Sequence, residues 1–296
     1  MRIMNFTRRV LSCVLFAACV MTANAVERLM VVGDGVWGGW SIDNSIVMFN
    51  TAEQPDVWKA TVNLKADAGF KFLTEAYWGG LEFRAGDNDV VLNSGVATAL
   101  VSSDNDNGKD CKFKVSEKAN YDIVCDLANN KVTVTKAAYQ DHEINHTALW
   151  MIGSATPGGW SISDGILLVQ DAANPCVFSA TADLVPGEMK IAVNKYCGYD
   201  QTFYLRDLSD DTKMVFGGDD DNKWNIAEAG TYDVKVDVAA MTISIQKHTP
   251  SGIGVVKGTT AAPAAYYTIA GVKSNAAAKG LTIVVDNNGK ARKVMK

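Results

Sequence analysis

The chain lacks the usual carriers of chemistry. It has three histidines in 296 residues. No pair of its cysteines has Cys-x-x-Cys spacing, so a zinc ribbon or finger is excluded. There is no G-x-S-x-G elbow, no P-loop and no Rossmann fingerprint, and with them go the commonest hydrolase, nucleotide and dinucleotide sites. No basic run clusters on one segment and the formal net charge is −5, which speaks against nucleic acid as a partner. Beyond the first 25 residues no stretch is apolar enough to cross a bilayer as a helix. No segment sustains a 3.6-residue apolar period, so helices are not expected.

Two features imitate catalytic or metal motifs. His142-Glu143-Ile144-Asn145-His146 fits H-E-x-x-H, which on a helix puts two imidazoles on one face for zinc. Here it occupies an eleven-residue connection, 137–147, with no room for that helix, and reads as a solvated linker. The acidic stretches Asp104-Asn105-Asp106-Asn107-Gly108 and Asp219-Asp220-Asp221-Asn222 lack the spacing and the closing Glu of an EF-hand, and read as polar turns. No cofactor and no metal is expected.

What is present is a repeat. Gly38-Gly39-Trp40-Ser41-Ile42 returns 120 residues later as Gly158-Gly159-Trp160-Ser161-Ile162. Each copy follows an apolar run ending in Gly33 or Gly153. The correspondence continues through Phe70-Lys71-Phe72 and Met189-Lys190-Ile191, Tyr77-Trp78-Gly79 and Tyr196-Cys197-Gly198, Lys112-Phe113 and Lys223-Trp224, and Tyr121-Asp122-Ile123 and Tyr232-Asp233-Val234. The offset falls from 120 to 111, so the first copy carries a longer loop before Cys111. Short runs of period two or continuous apolarity stand between Gly, Asp and Asn turns. In the first copy they cover 29–32, 56–64, 69–74, 89–92, 111–115, 121–126 and 131–135. Seven short strands per copy describe an all-β fold of two tandem β-sandwiches.

The expected organisation is a signal peptide (1–25), a first module (26–136), a linker (137–147), a second module (148–247), a Pro-, Gly-, Thr- and Ala-rich flexible linker (248–265) and a C-terminal β-hairpin unit (266–296). Arg2, Arg8 and Arg9 precede an apolar core at 10–20 and the small-x-small site Ala23-Asn24-Ala25. Phe16-Ala17-Ala18-Cys19 also fits a lipobox, so cleavage after Ala25 and lipidation of Cys19 are alternatives. Either way the protein is exported. Cys111, Cys125, Cys176 and Cys197 then lie in an oxidising compartment. Cys111 and Cys125 are symmetric about Lys118, and Cys176 and Cys197 about Pro186-Gly187, so each module can hold one cross-strand disulfide; four buried thiols are the alternative.

Aromatics carry the functional signal. Trp58, Phe178, Phe113 and Trp224 sit in strands and read as core. Trp78 and Tyr196 sit past strand ends in loop-like sequence. A ring exposed there suits stacking on the apolar face of a sugar, with a nearby Lys for the hydroxyls; packing or an interface is the competing use.

These residues, in order and twice over, resemble the SusE/SusF outer-membrane starch-binding proteins of Bacteroides-type bacteria. The likeness is carried by Met30 to Gly33 with Gly39-Trp40, Gly69-Phe70-Lys71-Phe72, Trp78 and Tyr121-Asp122-Ile123. In the second copy it is carried by the stretch from Met151 to Trp160 and by Ala229-Gly230-Thr231-Tyr232. The resemblance implies immunoglobulin-like sandwiches that hold α-glucan at the cell surface without cleaving it. It implies a first site at Trp40, Trp78 and Lys71 and a second at Trp160, Tyr196 and Lys190. Cys197 stands where Trp78 does, so the first site is expected to be the stronger. Implied partners are starch-like polysaccharide or oligosaccharide and the proteins of an outer-membrane glycan-uptake complex. A protein-interaction role in such a complex, without sugar binding, is the alternative function. Tyr267 to Gly271, Lys279-Gly280 to Val284 and the basic ending Lys293 to Lys296 resemble a Por-type (type IX) sorting tail.

Overall fold

The computed structural model describes residues 26–249, apart from 106, 107 and 219, and four strand segments nearer the C-terminus. The leader, its cleavage site, Cys19 and most of the 248–265 connection lie outside the described residues. Those residues divide between two compact units, meeting between Lys247 and His248. Among them regular structure is β throughout, apart from one 3-10 turn at Ser103–Asn105.

In the larger unit the first sandwich opposes two antiparallel sheets. One runs in the order Ile46–Val47, Met30–Val32, Lys71–Leu73, Glu82–Arg84, Val101–Ser102. The other runs Phe49–Thr51, Gln54–Leu64, Ala119–Asp126, Lys131–Lys136, Thr98–Ala99. Alternation decides which side chains face inward. Leu29, Val31, Phe70 and Phe72 point between the sheets and meet Phe113 and Ile123. Met30, Val32 and Leu73, on the intervening positions, point out of the sandwich.

The second sandwich repeats this with its layers joined. The strand Ile166–Gln170 pairs by its first residues with Leu149–Ile152 and by its last with Val177–Leu184, so one strand serves both sheets. Both sandwiches carry the same corner. Tyr121 donates its hydroxyl to the Glu117 carbonyl at 2.9 Å, and Tyr232 to that of Glu228 at 2.8 Å. A tyrosine hydroxyl bonded a few residues upstream at this point is a mark of immunoglobulin-like sandwiches.

The sandwiches are not beads on a linker. Their outward faces pack on each other. Met30, Val32, Val47 and Leu73 form one buried cluster with Trp150, Ile152, Ala192 and Phe203. Asn194, fully buried, donates to the Ser45 carbonyl and hydroxyl across the seam, both at 3.1 Å. The backbone N–H of Thr202 donates to Asn44 Oδ1 at 2.8 Å.

Two expectations change. Residues 137–147 are packed rather than solvated: Ile144 and His146 are buried, and Asn120 Nδ2 donates to the Tyr139 and His142 carbonyls. The segment holds no helix, His142 and Glu143 are exposed, and His146 points inward to the Tyr204 hydroxyl at 2.8 Å, so the two imidazoles share no face. The four cysteines are free, buried thiols. The hairpin that would pair Cys111 with Cys125 does not form, because Cys125 registers with Trp58 and Val132. Phe113–Lys114 lies parallel to Val90–Val91 instead. Cys176 donates to the Glu143 carbonyl and Cys197 to that of Ile42, so these thiols face different neighbours.

The smaller unit is a four-stranded antiparallel sheet, in the order Lys273–Ser274, Ala265–Thr268, Leu281–Val285, Ala291–Met295. The terminal hairpin is there, in register Leu281 with Met295, and two further strands extend it.

Candidate functional site

Each Gly-Gly-Trp stretch is built by a glycine that nothing else can replace. Gly33 has φ +136°, and a Cβ on it would lie 2.3 Å from the Gly69 carbonyl oxygen. With no side chain it lets the chain turn hard against the neighbouring strand. Its N–H then donates to the Gly39 carbonyl at 2.8 Å, closing the loop that presents Trp40. Gly153 repeats this with φ +140°, a would-be Cβ 2.1 Å from the Glu188 carbonyl oxygen, and a 2.8 Å bond to Gly159 before Trp160.

Trp40 then meets Trp78, which rises from the loop between Lys71–Leu73 and Glu82–Arg84. Their ring centroids are 6.4 Å apart and their planes tilt by 48°. Trp78 is 47% exposed. Beneath the rings lies Lys71, an outward-pointing strand residue, with its Nζ 5.8 Å from the Trp40 centroid and 5.2 Å from that of Trp78. The ammonium is buried but well partnered. It donates to Glu82 Oε2 at 2.7 Å and Asp110 Oδ1 at 2.9 Å, and Arg84 reaches the same two oxygens at 3.2 Å. Burial works to raise the Asp110 pKa, but hydrogen bonds from Lys71 and Lys112 and their charges outweigh it and hold the carboxyl at about 2. Lys112 Nζ lies 5.6 Å from the Trp40 centroid. Trp40, Lys71, Trp78, Asp110 and Lys112 line an open cleft of about 760 Å³.

The second cleft keeps the frame and changes the lining. Lys190 donates to Asp221 at 2.8 Å, Lys223 reaches the same carboxylate at 3.0 Å, and Lys223 Nζ lies 5.6 Å from the Trp160 centroid. These match Lys71, Asp110, Lys112 and Trp40 one for one. Strand register then puts Phe203 where the first sandwich has Glu82. The Lys190 ammonium sits 3.9 Å from the Phe203 centroid and 5.3 Å from that of Tyr199. A buried ion cluster has become a cation on aromatic faces. Lys190, Tyr199, Phe203 and Asp221 line a cavity of about 340 Å³, less than half the volume of the first, and Trp160 and Lys223 stand outside it.

The structure brings Trp40, Lys71 and Trp78 together as the sequence suggested. In the second sandwich the position expected of Tyr196 is held by Tyr199. Tyr199 is 53% exposed and donates its hydroxyl to the Trp160 carbonyl. Tyr196 is half-buried on the seam, under the Arg28 guanidinium at 5.3 Å from its ring. Asp110, Glu82, Arg84, Lys112 and their second-copy counterparts were not singled out as site residues. A signal for two of them existed: Asp110-Cys111-Lys112 and Asp221-Asn222-Lys223 repeat at the offset of 111.

The fold and the clefts define the class: paired immunoglobulin-like sandwiches with an aromatic-and-lysine cleft on each. No protein-family model and no curated protein matches the sequence. Among solved structures the chain is similar to the crystal structure of SusF from Bacteroides thetaiotaomicron. The identity is 14% over 90% of this chain and 71% of that one, with a TM-score of 0.29.

Proposed function

We propose that this protein binds starch-like α-glucan without cleaving it, at the cell surface or outside the cell. The observation that carries the reading is the Trp40–Trp78 pair, set at 48° over a fixed ammonium. Two tilted rings form a concave apolar surface. A chain of α-linked glucose is curved and offers successive C–H faces, so it fits such a surface better than a flat β-linked ribbon does. Lys112 at the rim supplies donors for hydroxyls. The carboxylate facing the rings points away from hydrolysis. A glycosidase needs one acid held protonated near neutral pH, whereas Asp110 is held ionised by Lys71 and Lys112.

Trp160, Lys190 and Tyr199 are the second, weaker site. The seam fixes the two sandwiches together, so both clefts would meet one polymer at a set spacing and gain avidity only where that spacing suits it. The leader-like 1–25 and the tail at 266–296 support a place outside the cytoplasm. A second reading, a protein-interaction subunit of a glycan-uptake complex, draws on the narrowness of the second cleft. Calorimetry with maltoheptaose and cellohexaose separates the two. Binding of the first sugar alone supports the proposal, and a folded protein that binds neither favours the second reading.

A further inference from the structure

The two sandwiches differ at one edge. Twenty-five residues separate Arg84 from Asp110 in the first, and fifteen separate the matching Leu205 from Asp221 in the second. In the first sandwich the extra length crosses the open side between the two sheets and pairs with both. The N–H groups of Val90 and Leu92 donate to the Lys112 and Lys114 carbonyls at 2.9 and 2.8 Å. Gly95 donates to Val134 at 2.8 Å, and Thr98–Ala99 pairs with Val132 and Lys131. Leu92 and Leu100 turn into the core beneath.

The second sandwich keeps only the end of this crossing: Lys213 bridges to Thr242, the Ile243 N–H donates to the Thr212 carbonyl and the Met214 N–H to the Met241 carbonyl, both at 2.9 Å, as Leu100 does to Asn130 in the first. Among the described residues nothing there matches 89–97. A short turn after Arg206 leads straight back to Met214–Phe216. The strands matching the covered ones are Trp224–Ile226 and Thr242–Lys247. Among the described residues, no backbone group pairs with the outer edge of Trp224–Ile226, nor with that of residues 244–246. Between them opens a groove of about 960 Å³, the largest of the clefts described, floored by Trp224, Ile226, Tyr232 and Ile243. Unpaired strand edges over an apolar floor are a template for an added strand.

We propose that this groove takes an extended segment of a partner polypeptide as an added strand, in the place that residues 89–97 fill in the first sandwich. The occupant's chemistry follows from that internal example. It is a strand with apolar residues at alternate positions, held by its main chain at both edges and by side chains on the floor. This role needs no sugar at the aromatic clefts, although Lys223 borders both the groove and the second cleft.

A synthetic peptide of residues 88–97 is the probe, with a scrambled peptide of the same composition as control. Hydrogen exchange is read on the full chain. The proposal expects the native-order peptide, and not the scrambled one, to slow exchange at least tenfold at the outward-facing amides of Asn225 and Ile245; that of Ile243 is already bonded to Thr212 and serves as an internal control. A variant with residues 87–97 grafted between Arg206 and Thr212 should show those two amides slowed without peptide and gain nothing from it. Exchange unchanged by the peptide, or slowed equally by both peptides, overturns the proposal. So does protection without peptide: if it grows with protein concentration the occupant is a second copy, and if it does not the chain covers its own groove.

Discussion

Asn194 donates from one amide nitrogen to the Ser45 carbonyl and hydroxyl, both at 3.1 Å, at a point closed to solvent between the two sandwiches. An amide there can satisfy both oxygens at once. Asn194→Ala leaves them buried with one donor fewer, and a lost buried hydrogen bond of this kind costs about 1–3 kcal/mol. Urea unfolding should show a lower midpoint with the slope unchanged. Asn194→Asp should be worse, since it turns an acceptor toward the carbonyl. Equal midpoints for wild type and Asn194→Ala would mean that this contact does not hold the seam.

His146 gives the seam a pH dependence. Its ring sits among Trp37, Tyr204 and Phe216, and burial lowers its pKa from the usual 6.5 to about 3. A histidine with a depressed folded pKa contributes stability that is whole above about pH 6.5 and is lost as pH falls toward 3. Each unit in that window costs up to about 1.4 kcal/mol. Between pH 6.5 and 4.5 this should dominate, before most carboxylates titrate. His146→Gln should flatten the slope over those two units; an unchanged slope would assign the acid sensitivity elsewhere.

The two lysines should differ in what they hold. Lys71→Met removes the cation that sits on both Glu82 and Asp110 inside the cleft. Breaking a buried ion cluster costs up to about 3–5 kcal/mol, and Arg84, which stays on both carboxylates, keeps the loss toward the lower end. Lys190→Met sets an apolar chain against Phe203 and leaves the exposed Asp221 paired with Lys223, so it should cost less than about 1.5 kcal/mol. Denaturant midpoints of the two variants compare them directly, and equal losses would contradict the difference.

Gly33 and Gly39 test the loop in the same way. Gly33→Ala places a Cβ 2.3 Å from a backbone oxygen that no side-chain motion can relieve, so it should leave little folded protein. Gly39 has φ +58° with open space around its Cβ position. Gly39→Asn should cost no more than about 1 kcal/mol, since Asn tolerates this conformation. Soluble yield and melting temperature give the comparison.

Long strands rich in β-branched residues were legible in the sequence: 56–64, 121–126 and 131–135 fall within Gln54–Leu64, Ala119–Asp126 and Lys131–Lys136. Glu82–Arg84 was not, because a strand whose outward residues are a Glu and an Arg looks like a polar loop until Lys71 is placed beside it. Trp40, Lys71 and Trp78 were found from their order in the repeat. Tyr199 was missed because aligning Tyr196-Cys197-Gly198 with Tyr77-Trp78-Gly79 assumes that both loops follow one path. In the second sandwich Gln201 holds its loop inward, accepting from the N–H groups of Val193 and Asn194 and donating to the Gly198 carbonyl, and the exposed ring comes three residues later. The packed 137–147 segment was hidden by its polar composition, since the groups that bury it belong to strands far away in sequence.

Trp78 is the exposed wall of the larger cleft, and removing it tests the account most directly. Affinity electrophoresis of wild type, Trp78→Ala and Tyr199→Ala through gels containing pullulan or amylopectin is the measurement. Wild type should be retarded, Trp78→Ala should migrate nearly as it does without polysaccharide, and Tyr199→Ala should lose only a minor part of the retardation. Retardation of Trp78→Ala equal to wild type, with the variant folded, would contradict the assignment of this cleft to glucan.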